Sequence, residues 1–258
     1  MKAAALRALS AGELLATWEW GLARGPLERG IGLLATACPE TEVDGLLHLS
    51  IGQRDARLLV LRRLTFGDAL ECRMACPACG SQLELGFTTT DLLAQAGIEA
   101  AEQAPGEYHL EAEGWQLRFR LPDSLDLFDA ISSADPSRAR AQLLQRCVTG
   151  IAPPGGAQPA ELLEGALPEA AEAALLAEMQ RPDAASSFAF ALICPACAHA
   201  WTAQFDILSF FWTEIQAWSH RTLRDVHLLA RAYGWREADI LALTGWRRHA
   251  YLQMCGHG

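Results

Sequence analysis

Four cysteines carry the most chemistry in this sequence. Cys76-Pro-Ala-Cys79-Gly80 and Cys194-Pro-Ala-Cys197 are near-identical turns, yet 114 residues (80 to 193) lie between the two pairs. Two residues between cysteines let a tight turn present both sulfurs to one metal, and four thiolates at about 2.3 Å satisfy tetrahedral Zn²⁺. One such pair is weak evidence. Two copies, each flanked by residues that alternate apolar and polar, point to one shared site: Cys76, Cys79, Cys194 and Cys197 around a structural Zn²⁺. A site with four thiolates has no open position for water, so it would close a fold and hydrolyse nothing. The rival reading, a redox dithiol, calls for one C-x-x-C in a βαβ setting, whereas hairpins flank both copies here. His199, beside the second pair, is expected just outside the coordination sphere. Cys38, Cys72, Cys147 and Cys255 have no partner at metal spacing and read as small core residues.

The turns need strands to hold them. Ala69–Ala75 and Gln82–Thr88 flank the first pair, with Leu83, Leu85 and Phe87 alternating; Phe188–Ile193 and Trp201–Ile207 flank the second. Two such hairpins packed edge to edge would make a zinc ribbon. Helices are expected on both sides of this unit. Ser10-x-x-Glu13 and Ser50-x-x-Gln53 are capping boxes, and Pro26 suits a first helical turn. After Ser50, Ala56, Leu59, Val60 and Leu64 share one helical face with arginines opposite. A second hairpin is predicted from Tyr108–Ala112 and Trp115–Leu121 around Glu113-Gly114. It is followed by a short helix capped by Asp123 or Ser124 and carrying Leu127, Phe128 and Ile131, and by helices at Pro136–Val148 and Pro168–Gln180. A linker is expected at 97–106 and a flexible loop at 152–159. The C-terminal part reads as helices at Leu208–Tyr233, Arg236–Leu243 and Gly245–Met254.

The expected fold is therefore α+β and mostly helical, with a split Cys₄ zinc ribbon interrupted by an α/β insertion. Its parts are an N-terminal helical region (1–67), the first knuckle (68–90), an acidic insertion (91–187), the second knuckle (188–207) and a C-terminal helical region (208–258). With 51% hydrophobic and 20% charged residues, the chain has ample material for a core. No apolar run reaches the roughly 18–20 residues of a membrane span, and the N-terminus does not read as a signal peptide, so the expected compartment is cytoplasmic.

The net charge is −10, and the segment Asp91–Ser187 alone carries sixteen acids against six arginines. Trp218–Met254 instead holds six arginines against three acids. An acidic middle argues against wrapping of nucleic acid, while the basic end leaves local contact with an acidic surface open. No Gly-rich phosphate loop, G-x-S-x-G elbow or H-E-x-x-H is present, so an enzyme is not expected. Phe210, Phe211, Trp212, Ile215 and Trp218 read first as core packing against the ribbon and the N-terminal helices. Phe211, Trp212, Trp218 and Trp235, with Arg247 and Arg248, are also candidates for a partner-binding surface, since interfaces favour tryptophan and arginine. The last helices also have the outline of a helix-turn-helix, which makes a zinc-ribbon nucleic-acid-binding regulator the alternative. No Asn, Gln or Ser base-reading set stands on the last helix beside Arg247 and Arg248.

The run Phe211-Trp212-x-Glu214-Ile215, then Val226-His227 through Tyr233-Gly-Trp235-x-Glu237-Ala-Asp239-Ile240 and Arg247-Arg248-x-x-Tyr251-Leu252, resembles the T-even-phage-type baseplate hub assembly chaperone family. Members of that family also accompany bacterial contractile injection systems. The resemblance extends to Glu13-Leu-Leu-x-x-Trp18-Glu19-x-Gly21, the first cysteine turn and Phe119-Arg120-Leu121-Pro122-x-Ser124-x-Asp126. Two positions depart from the family pattern: Ala198 stands where Gly is common, and the last helix begins Thr244-Gly245-Trp246 in place of Ser-Pro. The resemblance implies a role in building or forming the baseplate of a contractile tail, with baseplate or tail proteins as partners and no small-molecule substrate. It leaves open whether the chain stays in the particle.

Overall fold

The computed structural model describes residues 6–95, 106–132, 135–154, 168–181, 183 and 188–256. The chain opens with α1 (Ala11–Gly21), α2 (Pro26–Ala37), α3 (Val43–Leu47) and α4 (Ile51–Phe66). Both capping boxes form: Ser10 and Glu13 bond reciprocally at the start of α1, and Ser50 and Gln53 do so at α4. Pro26 occupies the first turn of α2, where its missing N–H costs nothing. The five-residue α3 is too short to leave a periodic trace in the sequence.

Strands β1 (Ala69–Ala75) and β2 (Gln82–Thr88) pair antiparallel, and α5 (Thr89–Gln95) follows. The segment beyond holds β3 (Tyr108–Ala112), β4 (Trp115–Phe119), α6 (Ser124–Ile131), α7 (Pro136–Cys147), β5 (Val148–Ala152) and α8 (Glu169–Gln180). Glu113 and Gly114 both take positive φ (53° and 78°), the two-residue turn that matches the twist of a hairpin. Strand β5 was not expected. The chain leaves α7 at Cys147 and enters a strand at once, pairing antiparallel with β4 to give a β3-β4-β5 sheet. Leu117, Phe119, Leu144, Cys147, Leu175 and Met179 form a hydrophobic cluster under this sheet, separate from the main core. The expected linker at 97–105 and the loop at 155–159 lie outside the described residues.

The second cysteine hairpin is β6 (Phe188–Ile193) with β7 (Ala200–Phe205), and α9 (Ile207–Tyr233), α10 (Glu237–Leu241) and α11 (Gly245–Met254) complete the chain. The two cysteine hairpins do not share a ladder; each is its own two-stranded sheet. The expectation of edge-to-edge packing is thereby corrected. Leu70, Cys72 and Met74 stand opposite Phe87, Leu85 and Leu83 on one face of the first hairpin. The second hairpin presents Phe188, Phe190, Ala203 and Phe205 in the same way. These apolar faces meet through Phe87, whose ring lies 5.0 Å from that of Phe190 and 5.4 Å from that of Phe205. Burying both faces removes far more apolar surface from water than joining two edges would.

The main core gathers α1, α2, α4 and α9 with the hairpin bases, through Leu14, Trp18, Leu34, Leu58, Leu61, Phe211 and Ile215 among others. Phe211 and Trp212 are 1% and 7% exposed: they pack the interior, as the core reading has it, and of the two readings the partner surface is the one corrected. Gly21 makes room for Trp212: a Cβ there would sit 2.4 Å from the indole. The predicted face of α4 is also corrected. Leu64 is exposed, whereas Arg54 and Arg62 are 2% and 3% exposed. Arg62 is buried because Glu214 of α9 takes both its Nε and Nη2 (2.9 and 2.6 Å) and the Gly67 carbonyl takes its Nη1. Paired and fully hydrogen-bonded, a buried arginine is tolerated. The architecture is thus mixed helix and sheet, with helices predominant. Among the described residues, no helix is long and apolar enough to cross a membrane.

Candidate metal centre

The two cysteine turns are copies of one geometry. In the first, the Cys76 N–H donates to the Ser81 carbonyl and the Gly80 N–H to the Cys76 carbonyl; in the second, Cys194 donates to His199 and Ala198 to Cys194, all at 2.8–2.9 Å. Each turn needs a left-handed residue after its second cysteine. Gly80 supplies it at φ 73°, and Ala198 is forced into it at φ 58°. A Cβ in this region costs roughly 1–2 kcal/mol, partly offset by the greater freedom glycine loses on folding. Ala198→Gly is therefore expected to stabilise the protein by about 0.5–1 kcal/mol. A rise in urea midpoint at unchanged slope would register it, and an unchanged or lower midpoint would refute the strain.

The turns face each other, so all four sulfurs lie within 4.8 Å of one another. Cys76 Sγ is 3.7 Å from Cys197 Sγ, and Cys79 Sγ is 3.6 Å from Cys194 Sγ. A tetrahedron with metal–sulfur bonds of about 2.3 Å has sulfur–sulfur edges of about 3.8 Å, which these two distances match, so the donor set suits a tetrahedral ion such as Zn²⁺. Cys76 and Cys194, the first of each pair, are buried; Cys79 and Cys197 reach the surface. His199 takes no part: its ring stacks on Trp201 at 6.1 Å and only its backbone meets the turn. Cys38 and Cys147 are buried and Cys72 and Cys255 half-buried, all as free thiols.

The protons on these sulfurs are not independent. Burial pushes the Cys194 thiol up, but the Cys197 and Ala196 N–H groups and the neighbouring thiols outweigh it and hold Cys194 at about 7. At Cys197 the His199 N–H favours the thiolate, yet Cys79, burial and Cys194 together push the group up to about 12. Without a cation, then, one thiolate forms readily and the next is opposed by it. A divalent ion removes that opposition, which is the ordinary chemistry of a clustered thiolate site.

A second constellation ties the segment after β2 to the N-terminal helices, and it was not foreseen as a site. Asp183 accepts from the Ser50 hydroxyl (2.5 Å) and the Gly52 N–H (3.0 Å) at the start of α4. The Ile51 N–H donates to the Pro122 carbonyl, and His48 Nδ1 lies 3.0 Å from Asp123. Arg54 bonds Asp55 at 2.7 Å and reaches Ser124 at 3.4 Å. Asp126, 1% exposed, accepts from Arg120 at 2.6 and 3.0 Å and from Arg146 at 2.8 Å. The residues Phe119–Asp126 that carried part of the resemblance are thus a docking and capping element.

These acids titrate in opposite directions. Burial raises Asp126, but Arg120, the Asp123 N–H and Arg146 more than reverse it and hold it at about 2. Burial wins at Asp55, despite Arg54, and raises it to about 6. Stability from a depressed group is present above its unfolded value and lost as pH falls, so Asp126 weakens the fold between about pH 4 and 2. Stability from a raised group is full below its unfolded value and lost as pH rises, so Asp55 acts between about pH 4 and 6. Asp126→Asn is expected to flatten the decline of stability below pH 4 and to leave the slope from 4 to 6 unchanged; urea titrations at each pH would measure both.

Of the residues expected at a partner surface, Trp218 is half-buried and Arg248 is buried at 6% exposure, while Arg247 is exposed. Trp235 is half-buried in a stack with Tyr233 (4.6 Å) and Tyr251 (4.9 Å). Arg248 cannot lie along a nucleic-acid backbone from that position.

The family model described as T4 bacteriophage base plate protein matches residues 27–212, from α2 into the first turns of α9. The chain belongs to that family. The matched region includes both cysteine pairs and the Phe119–Asp126 element, and it ends at Trp212, two residues into the C-terminal motifs that carry the resemblance. Comparison with curated proteins and with solved structures returns no match. For this baseplate-family chain, the cysteine cluster and the buried polar junction are features of the matched region itself.

Proposed function

We propose that this chain is a non-enzymatic component or assembly factor of the baseplate of a phage-like contractile tail or injection system, acting through protein–protein contacts. The family match over most of the chain carries the reading. In it, Cys76, Cys79, Cys194 and Cys197 hold one structural Zn²⁺ and make a split zinc ribbon, which the mutual approach of the four sulfurs supports. The residues between the knuckles are an insertion with its own small core, anchored to the start of α4 by Asp183 and to His48 by Asp123. A coordinatively complete metal gives the site no water to activate, in keeping with a role in architecture. The chain would act in the cytoplasm, where thiols remain reduced, before or during incorporation into a particle.

Purification of tagged chain from cells producing the contractile particle tests the reading. Tail and baseplate proteins are expected to accompany it after nuclease treatment. If nuclease releases whatever accompanies it, and the pure chain binds mixed-sequence duplex DNA with steep salt dependence, the baseplate reading fails and the nucleic-acid regulator replaces it.

A further inference from the structure

A groove of about 490 Å³ lies where the N-terminus of α1, the end of α4, the middle of α9 and the α10–α11 connection converge. Its walls are mixed: Leu9, Phe66, Trp218 and Leu241 supply an apolar side, and Thr65, Thr244 and Arg248 a polar one. Arg248 is anomalous there. It is 6% exposed, and its Nε and Nη1 meet no hydrogen-bond acceptor. Asp225 feels its charge, but no carboxylate of the described residues lies within 4 Å of the guanidinium. A buried cation without a partner is costly, and chains keep such a group where something outside completes it. The ten-residue α11 also begins at this groove. Thr244 caps the Arg247 N–H, and the first-turn N–H groups, which a helix cannot satisfy internally, add positive potential.

We infer that the Arg248 groove receives a carboxylate from an apolar segment of a partner protein, the guanidinium gripping the acid while Trp218 and its apolar neighbours take the flanking side chain. Charge complementarity selects the occupant: a guanidinium whose Nε and Nη1 donors meet no acceptor matches a carboxylate, and the apolar side of the groove suits a flanking apolar side chain. This rests on the reading that the chain works through protein contacts, and it narrows the candidate partner surface to Trp218 and Arg248. The surrounding C-terminal segment, with six arginines against three acids in an otherwise acidic chain, attracts the same partner at longer range.

The test uses the full chain and two blocked peptides, acetyl-Leu-Asp-Leu-amide and its Asn counterpart, with the Arg248 Nε–Hε resonance as the reporter. Saturable movement is expected with the Asp peptide and none with the Asn peptide. Arg248→Met should weaken binding at least about tenfold, and Arg248→Lys, which keeps charge but loses the planar fork, should weaken it less. Because Arg248→Met removes an uncompensated buried charge, its Tm should rise by about 2–4 °C, which also shows that the variant folds. The inference is overturned if neither peptide, or both equally, move the resonance. It is also overturned if inorganic phosphate binds more tightly than the Asp peptide, or if self-association of the chain closes the groove. Wild-type chain that joins tail particles while failing these peptide tests would refute this inference alone; wild-type chain that joins no particle would refute the baseplate reading.

Discussion

Replacing Cys194 by serine is expected to abolish stoichiometric zinc binding and to lower Tm by about 10 °C or more, because the free energy of structural metal binding is folding free energy. Cys194 is buried at the junction of two hairpins that share no ladder hydrogen bonds. What joins them is a patch of aromatic contact around Phe87 and the four sulfurs. Without metal, the second thiolate is opposed by the first, and the turns lose the one bond that crosses between them. A strong chelator applied to the wild-type chain should reproduce the loss, and restoring Zn²⁺ should reverse it. Cys255→Ser is the matched control, since that half-buried thiol lies outside the cluster and its loss should leave zinc content unchanged. Equal melting of Cys194→Ser and wild type, with or without chelator, would show that the clamp carries no load.

Asp126→Ala is expected to cost about 3 kcal/mol, toward the low end for breaking a buried ion pair. The side chain is fully buried, accepts five hydrogen bonds, one of them from the Cys147 thiol, and serves two arginines at once. Its removal leaves Arg120 with a longer contact to Asp123 at 3.6 Å and Arg146 paired with Asp129, and both side chains, 30% and 43% exposed, can turn partly to water, which limits the penalty. It also deletes the carboxylate that bonds the Asp123 N–H at the start of α6. Arg140–Glu172 makes the contrast: with side chains 58% and 30% exposed, removing Glu172 should cost well under about 1 kcal/mol. Urea unfolding of Asp126→Ala and Glu172→Ala measures the difference, and near-equal losses would mean that the junction around Asp126 is already solvated.

The cysteine turns, their strands and most helices were legible in the sequence because each is written locally. Capping boxes at Ser10 and Ser50, the Glu113-Gly114 turn and the strand alternation of Leu83, Leu85 and Phe87 involve residues a few positions apart. The strain at Ala198 was legible too, since the matching position in the first turn is Gly80. What was lost depends on distant partners. Arg62 looks like a solvent-facing residue until Glu214, 152 positions away, takes its guanidinium. The Ser50 hydroxyl serves Asp183 across 133 positions, which no local pattern records. Strand β5 is five residues long and follows a helix without a break signal. Phe211 and Trp212 suit either a core or an interface by residue type alone, and Gly21, which opens the slot for Trp212 and decides for the core, looks like an ordinary helix end.

Zinc K-edge X-ray absorption on chain purified without chelator, with metal content measured on the same sample, addresses the clamp most directly. The account predicts one zinc per chain with four sulfur neighbours at about 2.3 Å and no lighter ligand. A first shell containing nitrogen or oxygen, or a folded chain with four reduced thiols and no bound metal, would contradict it.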